Sequence, residues 1–167
     1  AHEMGHALHT YYSHKKQPYI NASSTTFCAE VASIVNELLL ADYMLKNTTD
    51  SGFKTHLIYQ RLALISVSVY RQTMFAEFKK KIYEKEQGNE SLTADILDEL
   101  WLKLNLLYYG PDVILDEEIA VEWARIPHFY WNFYVYQYVT GYAAATYLVK
   151  RLLEGNNDAQ EKYITFL

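Results

Sequence analysis

Apolar positions along this chain recur at helical spacing, and no stretch alternates apolar and polar residues with a period of two. Val31, Ile34, Val35, Leu38 and Leu39 mark the core face of a helix predicted from about Phe27 to Leu45, with Ser24, Thr25 or Thr26 available as its N-cap. An earlier helix is predicted from the first residues to about Ser13, followed by a polar loop through Thr26. From about Phe53 to Glu86 runs a long helical pattern whose middle, Leu62 to Tyr70, carries no charge and is predicted to be buried on most sides. Gly88-Asn89 stops it. Ser91 or Thr93 then caps a helix through Leu97, Leu100, Trp101, Leu104 and Leu107, which Gly110-Pro111 closes. A shorter helix over about Glu117 to Ala124 precedes Pro127, and a last long one is predicted from about Trp131 to Glu154, stopped by Gly155-Asn156-Asn157. With no strand signal and no internal repeat, the pattern predicts an all-α helical bundle.

Composition narrows the class. At 167 residues, 50% hydrophobic and 21% charged, the chain is long enough for one domain with its own core, so residues 1–167 are expected to form a single helical domain. A net charge of -5 argues against a nucleic-acid partner, because phosphate binding needs a basic surface. The one basic run, Lys79-Lys80-Lys81, is diluted by Glu77, Glu84 and Glu86 and is expected to be a solvated helix face. Phe129 to Val149 is uncharged and long enough to span a bilayer. It is rich in tyrosine, however, and holds Asn132, Gln137, Thr140 and Thr146, which suits a polar-lined cleft better than lipid. No membrane partner is expected. The single Cys28 cannot form an internal disulfide, which favours a reducing compartment and a cytoplasmic location. Oligomeric state is not legible in the pattern.

The chemistry concentrates at the start of the chain. Ala1-His2-Glu3-Met4-Gly5-His6 is a His-Glu-x-x-His motif. On a helix the two histidines, at i and i+4, stand on one face about 6 Å apart, where both imidazoles can grip one cation. Glu3, one residue round, can accept a proton from water on that cation. Chance alone would produce the motif in roughly one or two shuffled chains per hundred, so it needs a third ligand to carry weight. Glu30 lies in the first turns of the second helix. Glu37, two turns further on the same face, can hydrogen-bond a ligand.

Other histidines and other metal chemistries weigh less. His9, His14 and His56 fit packed or solvated positions, and a fourth protein ligand such as His9 would occupy the place water needs. Glu3-Met4-Gly5-His6 also reads as the Glu-x-x-His of a di-iron bundle, but such bundles need a second copy and no other glutamate here has histidine three residues later.

The run His2-Glu3-Met4-Gly5-His6-Ala7-Leu8-His9, the later Ala29-Glu30-Val31-Ala32-Ser33 with Asn36-Glu37, and Arg125-Ile126-Pro127-His128-Phe129-Tyr130 closely resemble the oligoendopeptidase F branch of the thimet oligopeptidase zinc peptidases, over nearly the whole chain. The resemblance implies one zinc held by His2, His6 and Glu30, with Glu3 as general base and then general acid. It implies that Glu37 matches a glutamate following the third ligand, and that His128 and some of the tyrosines after it form a cluster that binds substrate and stabilises the oxyanion. Tyr134, Tyr138 and Tyr142 share one face if the segment is helical, while Tyr136 points elsewhere; His128, Tyr134 and Tyr138 are the best-supported members. Members of that family are several-fold longer, so the chain resembles the C-terminal catalytic part of a larger zincin-like fold whose N-terminal part is absent. The expected function is zinc-dependent hydrolysis of short peptides. The alternative is a helical fragment that binds metal but needs that N-terminal part for activity.

Overall fold

The computed structural model describes residues 1–155 and 157–167, and its elements are helical throughout, with no strand among the described residues. The chain forms two compact units, one of Ala1–Leu64 with Gln137–Leu167 and one of Ile65–Tyr136.

In the first unit, α1 (His2–Lys16) runs three residues beyond the expected end, with His14, Lys15 and Lys16 in the last turn where cations suit the negative end of the helix dipole. A single 3₁₀ turn, Tyr19–Asn21, interrupts the following loop, and the buried Ser13 hydroxyl donates to the Ala22 carbonyl at 2.7 Å, pinning the loop to α1. Helix α2 (Thr26–Asn47) has Thr25 as N-cap, without a side-chain bond. Its buried stripe of Val31, Ile34, Val35 and Leu38 meets Ala145 and Val149 of α6 (Tyr136–Leu153), with Tyr163 and Phe166, near the end of the chain, packed alongside. Burial pushes the phenol of Tyr163 up to about 12, so it stays neutral. Helix α7 (Asn157–Phe166) was not anticipated: only Ala159 is buried along it, and its apolar spacing is too sparse to read. Gly155, at φ 73°, supplies the left-handed step that ends the preceding helix; Asn156 of the expected stop lies outside the described residues.

The long central pattern resolves into α3 (Ser51–Ile65), a π-helical segment Ser66–Arg71 and α4 (Gln72–Gln87). Its uncharged middle is not buried on most sides. Leu62, Val67 and Tyr70 are exposed, because lack of charge says what a segment tolerates and not what covers it.

The second unit is built on α4 and α5 (Ala94–Tyr109), the latter capped by Thr93, whose hydroxyl accepts from the Ile96 amide. Met74, Phe75 and Phe78 of α4 pack on Trp101 and Leu104 of α5, and Ile126 and Val135 close the cluster. Phe78 and Trp101 meet at 5.0 Å, nearly perpendicular. Each such fully buried side chain contributes about 1.5–3 kcal/mol. Glu117–Arg125 forms a 3₁₀ helix, tied down by Trp123 Nε1 donating to Asp98 and by the Arg71–Glu122 ion pair at 2.7 Å.

Two local expectations change here. Lys79 is not on a solvated face: it is 7% exposed, turned onto the protein by its place one residue past Phe78 and four past Phe75. The last long helix starts at Tyr136, five residues late, because Trp131–Val135 is irregular and Phe133 adopts the left-handed φ of 52°. Tyr134 therefore precedes the helix and does not share the helical face of Tyr138 and Tyr142. No helix among the described residues is long and apolar enough to cross a membrane.

Candidate metal centre

His2 and His6 stand one turn apart on α1, and their rings meet edge to face at 4.7 Å with the two Nε2 atoms 3.1 Å apart. Glu30, in the second turn of α2, brings Oε2 to 3.7 Å from His2 Nε2. Ligand atoms of these three residues all lie within 4.8 Å of one another, and among the described residues no other group of three or more such donors converges in this way.

The approach that brings Glu30 to the histidines is set by small residues. A Cβ on Gly5 would lie 2.4 Å from Ser33 Cα and 2.7 Å from the Ala32 carbonyl oxygen, so α1 can seat on α2 only with glycine there. The motif's two unspecified positions are thus unequal: Met4 points to solvent and Gly5 forms the contact. Ser33, fully buried, donates to the Glu30 carbonyl at 2.9 Å and lies 3.3 Å from Glu30 Oε2, which restrains the carboxylate. Asn36 Nδ2 donates to the Ala1 carbonyl at 2.6 Å, fastening the first turn of α1. None of these roles follows from spacing; the available signals were a glycine inside a helix and a serine among buried apolar neighbours.

Glu37 lies where its spacing from Glu30 puts it, with Oε1 3.3 Å from His2 Nδ1. A carboxylate beside Nδ1 favours the tautomer carrying its proton there, which leaves the His2 Nε2 lone pair facing His6 Nε2. Two nitrogens each about 2.0–2.1 Å from a tetrahedral zinc are roughly 3.3 Å apart, so the observed 3.1 Å suits two ligands of one ion. The donor set fits zinc: two imidazoles and one carboxylate leave a fourth position open. Glu3 is exposed on α1, about 100° round from His2.

His9 is buried, stacks on Phe166 at 5.5 Å, and is held below the ordinary histidine pKa by burial, with the His6 imidazole adding to it. It packs, as expected. His14 and His56 are exposed.

The remaining candidate residues are distributed along the later chain. In the second unit His128 sits in the 3₁₀ turn Pro127–Tyr130, its ring stacked on Tyr134 at 5.2 Å and 4°. Trp131 meets both rings edge-on, at 5.5 Å from His128 and 4.8 Å from Tyr134. Tyr138 lies half-buried in α6, in the first unit. There Gly141 faces α2, where an added Cβ would make ordinary contact with Glu30 Cβ and Val31 at 3.9 Å.

Peptidase family M3 matches the chain over residues 1–167. Oligopeptidase PepF of Bacillus subtilis is 45% identical over 166 residues, covering 99% of this chain and 25% of its own length. The oligoendopeptidase F homolog of Borreliella burgdorferi is 43% identical over 167 residues, covering 100% of this chain and 28% of its own. The crystal structure of oligoendopeptidase-F from Enterococcus faecium superposes with a TM-score of 0.84 at 40% identity, over 98% of this chain and 29% of that one. The chain thus spans about a quarter of the length of the curated relatives it matches.

Proposed function

This chain belongs to peptidase family M3, a family that implies a metal, and on that premise we propose that it carries the zinc site of an endopeptidase acting on short peptides. The observation that supports this best is the pair of Nε2 atoms, 3.1 Å apart, with a Glu30 oxygen 3.7 Å away on a second helix. Zinc held by His2, His6 and Glu30 would supply a Lewis acid that acidifies water and polarises a carbonyl. The rest is the work of side chains. Glu3, adjacent to His2 in the chain yet off the ligand face, takes the proton from the attacking water and returns it to the leaving amine. Glu37 fixes the His2 tautomer and Ser33 restrains Glu30, so the ligands are oriented before anything binds. His128, Tyr134 and Tyr138 bind the peptide and donate hydrogen bonds to the oxyanion as it develops, neutral donors being suited to a charge that appears only in the transition state. The free Cys28 supports a cytoplasmic location.

The test is metal analysis of the full-length protein, with an internally quenched peptide series of increasing length as substrate. One zinc per chain is expected, with hydrolysis abolished by a chelator, restored by zinc, and lost on long or folded substrates. Hydrolysis that survives complete removal of metal would overturn the proposal.

A further inference from the structure

Lys79 is the only member of the Lys79-Lys80-Lys81 run that is buried; Lys80 leaves 74% of its side chain exposed. Burying an ammonium is costly unless it is hydrogen-bonded. Lys79 Nζ donates to the Trp131 carbonyl oxygen at 2.5 Å and lies 5.8 Å from the centre of the Tyr83 ring. A methionine of similar length would fill this space without the desolvation cost, so what the lysine adds is the charge-assisted bond to that carbonyl.

The acceptor is informative. Trp131 closes the 3₁₀ turn that carries His128, and two residues later the chain turns through the left-handed Phe133 before Tyr134. The Trp131 indole stands edge-on to both His128 and Tyr134, whose rings are parallel and stacked. This irregular stretch lies outside the flanking helices; the Trp131 amide donates to the His128 carbonyl at 3.3 Å, and the bond from α4 adds an anchor from a second element at the residue both rings lean on.

The geometry points to Lys79 as a positioning residue for the His128–Tyr134 pair: its ammonium fixes the Trp131 carbonyl, and Trp131 holds the two rings in register. This rests on the proposal that His128 and Tyr134 serve peptide hydrolysis. Lys79 acts through them and touches no substrate.

The experiment uses the full-length enzyme and a quenched peptide, comparing Lys79→Met and Lys79→Arg with the parent, and Lys79→Met with and without the His128→Ala/Tyr134→Phe pair. Lys79→Met should lower kcat by about 10- to 100-fold, the scale set by misplacing a group by about 1 Å, with KM changed less than about 2-fold. Lys79→Arg, which restores a charged donor, should recover most of the loss. In the His128→Ala/Tyr134→Phe background Lys79→Met should cost nothing further, since residues acting as a unit are not additive. A full additional loss in that background would mean that Lys79 merely supports the fold, and the proposal would fail. An unchanged kcat in Lys79→Met beside a slowed His128→Ala/Tyr134→Phe enzyme would also refute it, leaving the site itself intact. If instead the His128→Ala/Tyr134→Phe enzyme keeps full activity, the assignment of that pair is wrong and the role of Lys79 falls with it. Should Lys79→Met not fold, Lys79→Leu, apolar and without a donor, takes its place in the same comparisons.

Discussion

Gly5 of α1 and Ser33 of α2 meet backbone to backbone, with 2.4 Å between Ser33 Cα and the place a Gly5 side chain would begin. No rotamer change can relieve that contact, because the opposing atoms are main chain. Gly5→Ala should therefore force the two helices apart, destabilising the protein by about 1–3 kcal/mol and loosening Glu30 from the histidines. Thermal melts and zinc competition against a chromophoric chelator measure the two effects. A variant with the parent's melting temperature and zinc affinity would show that the helices do not cross at this point.

The ligand set makes a spectroscopic prediction. X-ray absorption at the zinc edge of the loaded full-length protein should give two nitrogen ligands with oxygen completing the shell, and His6→Ala or Glu30→Ala should each weaken binding by about 10-fold or more. A sulfur ligand would implicate Cys28, which sits two residues before Glu30, and would displace the proposed set.

Glu3 should behave as a base and not as a ligand. Glu3→Gln keeps size and hydrogen bonding but removes the proton acceptor, so zinc content should stay at one per chain while kcat falls by about 10²–10⁴-fold. Loss of zinc together with activity would make Glu3 a ligand and reverse the roles.

Tyr134 and Tyr138 belong to different stretches of backbone, one before α6 and one inside it, so each is tested separately. Removing a single hydroxyl from an oxyanion donor should lower kcat by about 10²-fold and leave KM nearly unchanged, because the bond forms mainly in the transition state. Tyr134→Phe and Tyr138→Phe are the test variants, with the exposed Tyr136→Phe as control. If only Tyr136→Phe is slow, the donor is Tyr136.

His9 predicts a pH effect on stability. Burial, with His6 adding to it, holds its pKa below the ordinary 6.5, so the unfolded chain binds this proton more readily than the folded one. The stability gained by keeping the ring neutral is present above the unfolded value and is lost as pH falls through 6.5 towards the folded value. Denaturant midpoints should drop between about pH 7.5 and pH 5.5, and His9→Leu should flatten that slope. An NMR titration placing His9 at or above 6.5 would contradict the burial argument.

The sequence by itself determined what is local. Helical spacing places His2 and His6 on one face and Glu30 and Glu37 on another, and Gly88, Thr93, Gly110 and Gly155 end or begin helices where the pattern puts them. These follow from backbone geometry, which a few neighbouring residues decide. Tertiary structure decided which faces meet. That α1 crosses α2 at Gly5 and Ser33, so that Glu30 reaches the histidines, depends on residues far apart in the chain and on a side chain that is absent. Lys79 reads as solvent-facing among its charged neighbours until the Trp131 carbonyl is seen to receive its ammonium. Tyr134 reads as helical until Phe133 turns left-handed and breaks the face it was expected to share with Tyr138. Periodicity reports which side chains point the same way. What they point at is set by long-range packing, which carries no period in the sequence.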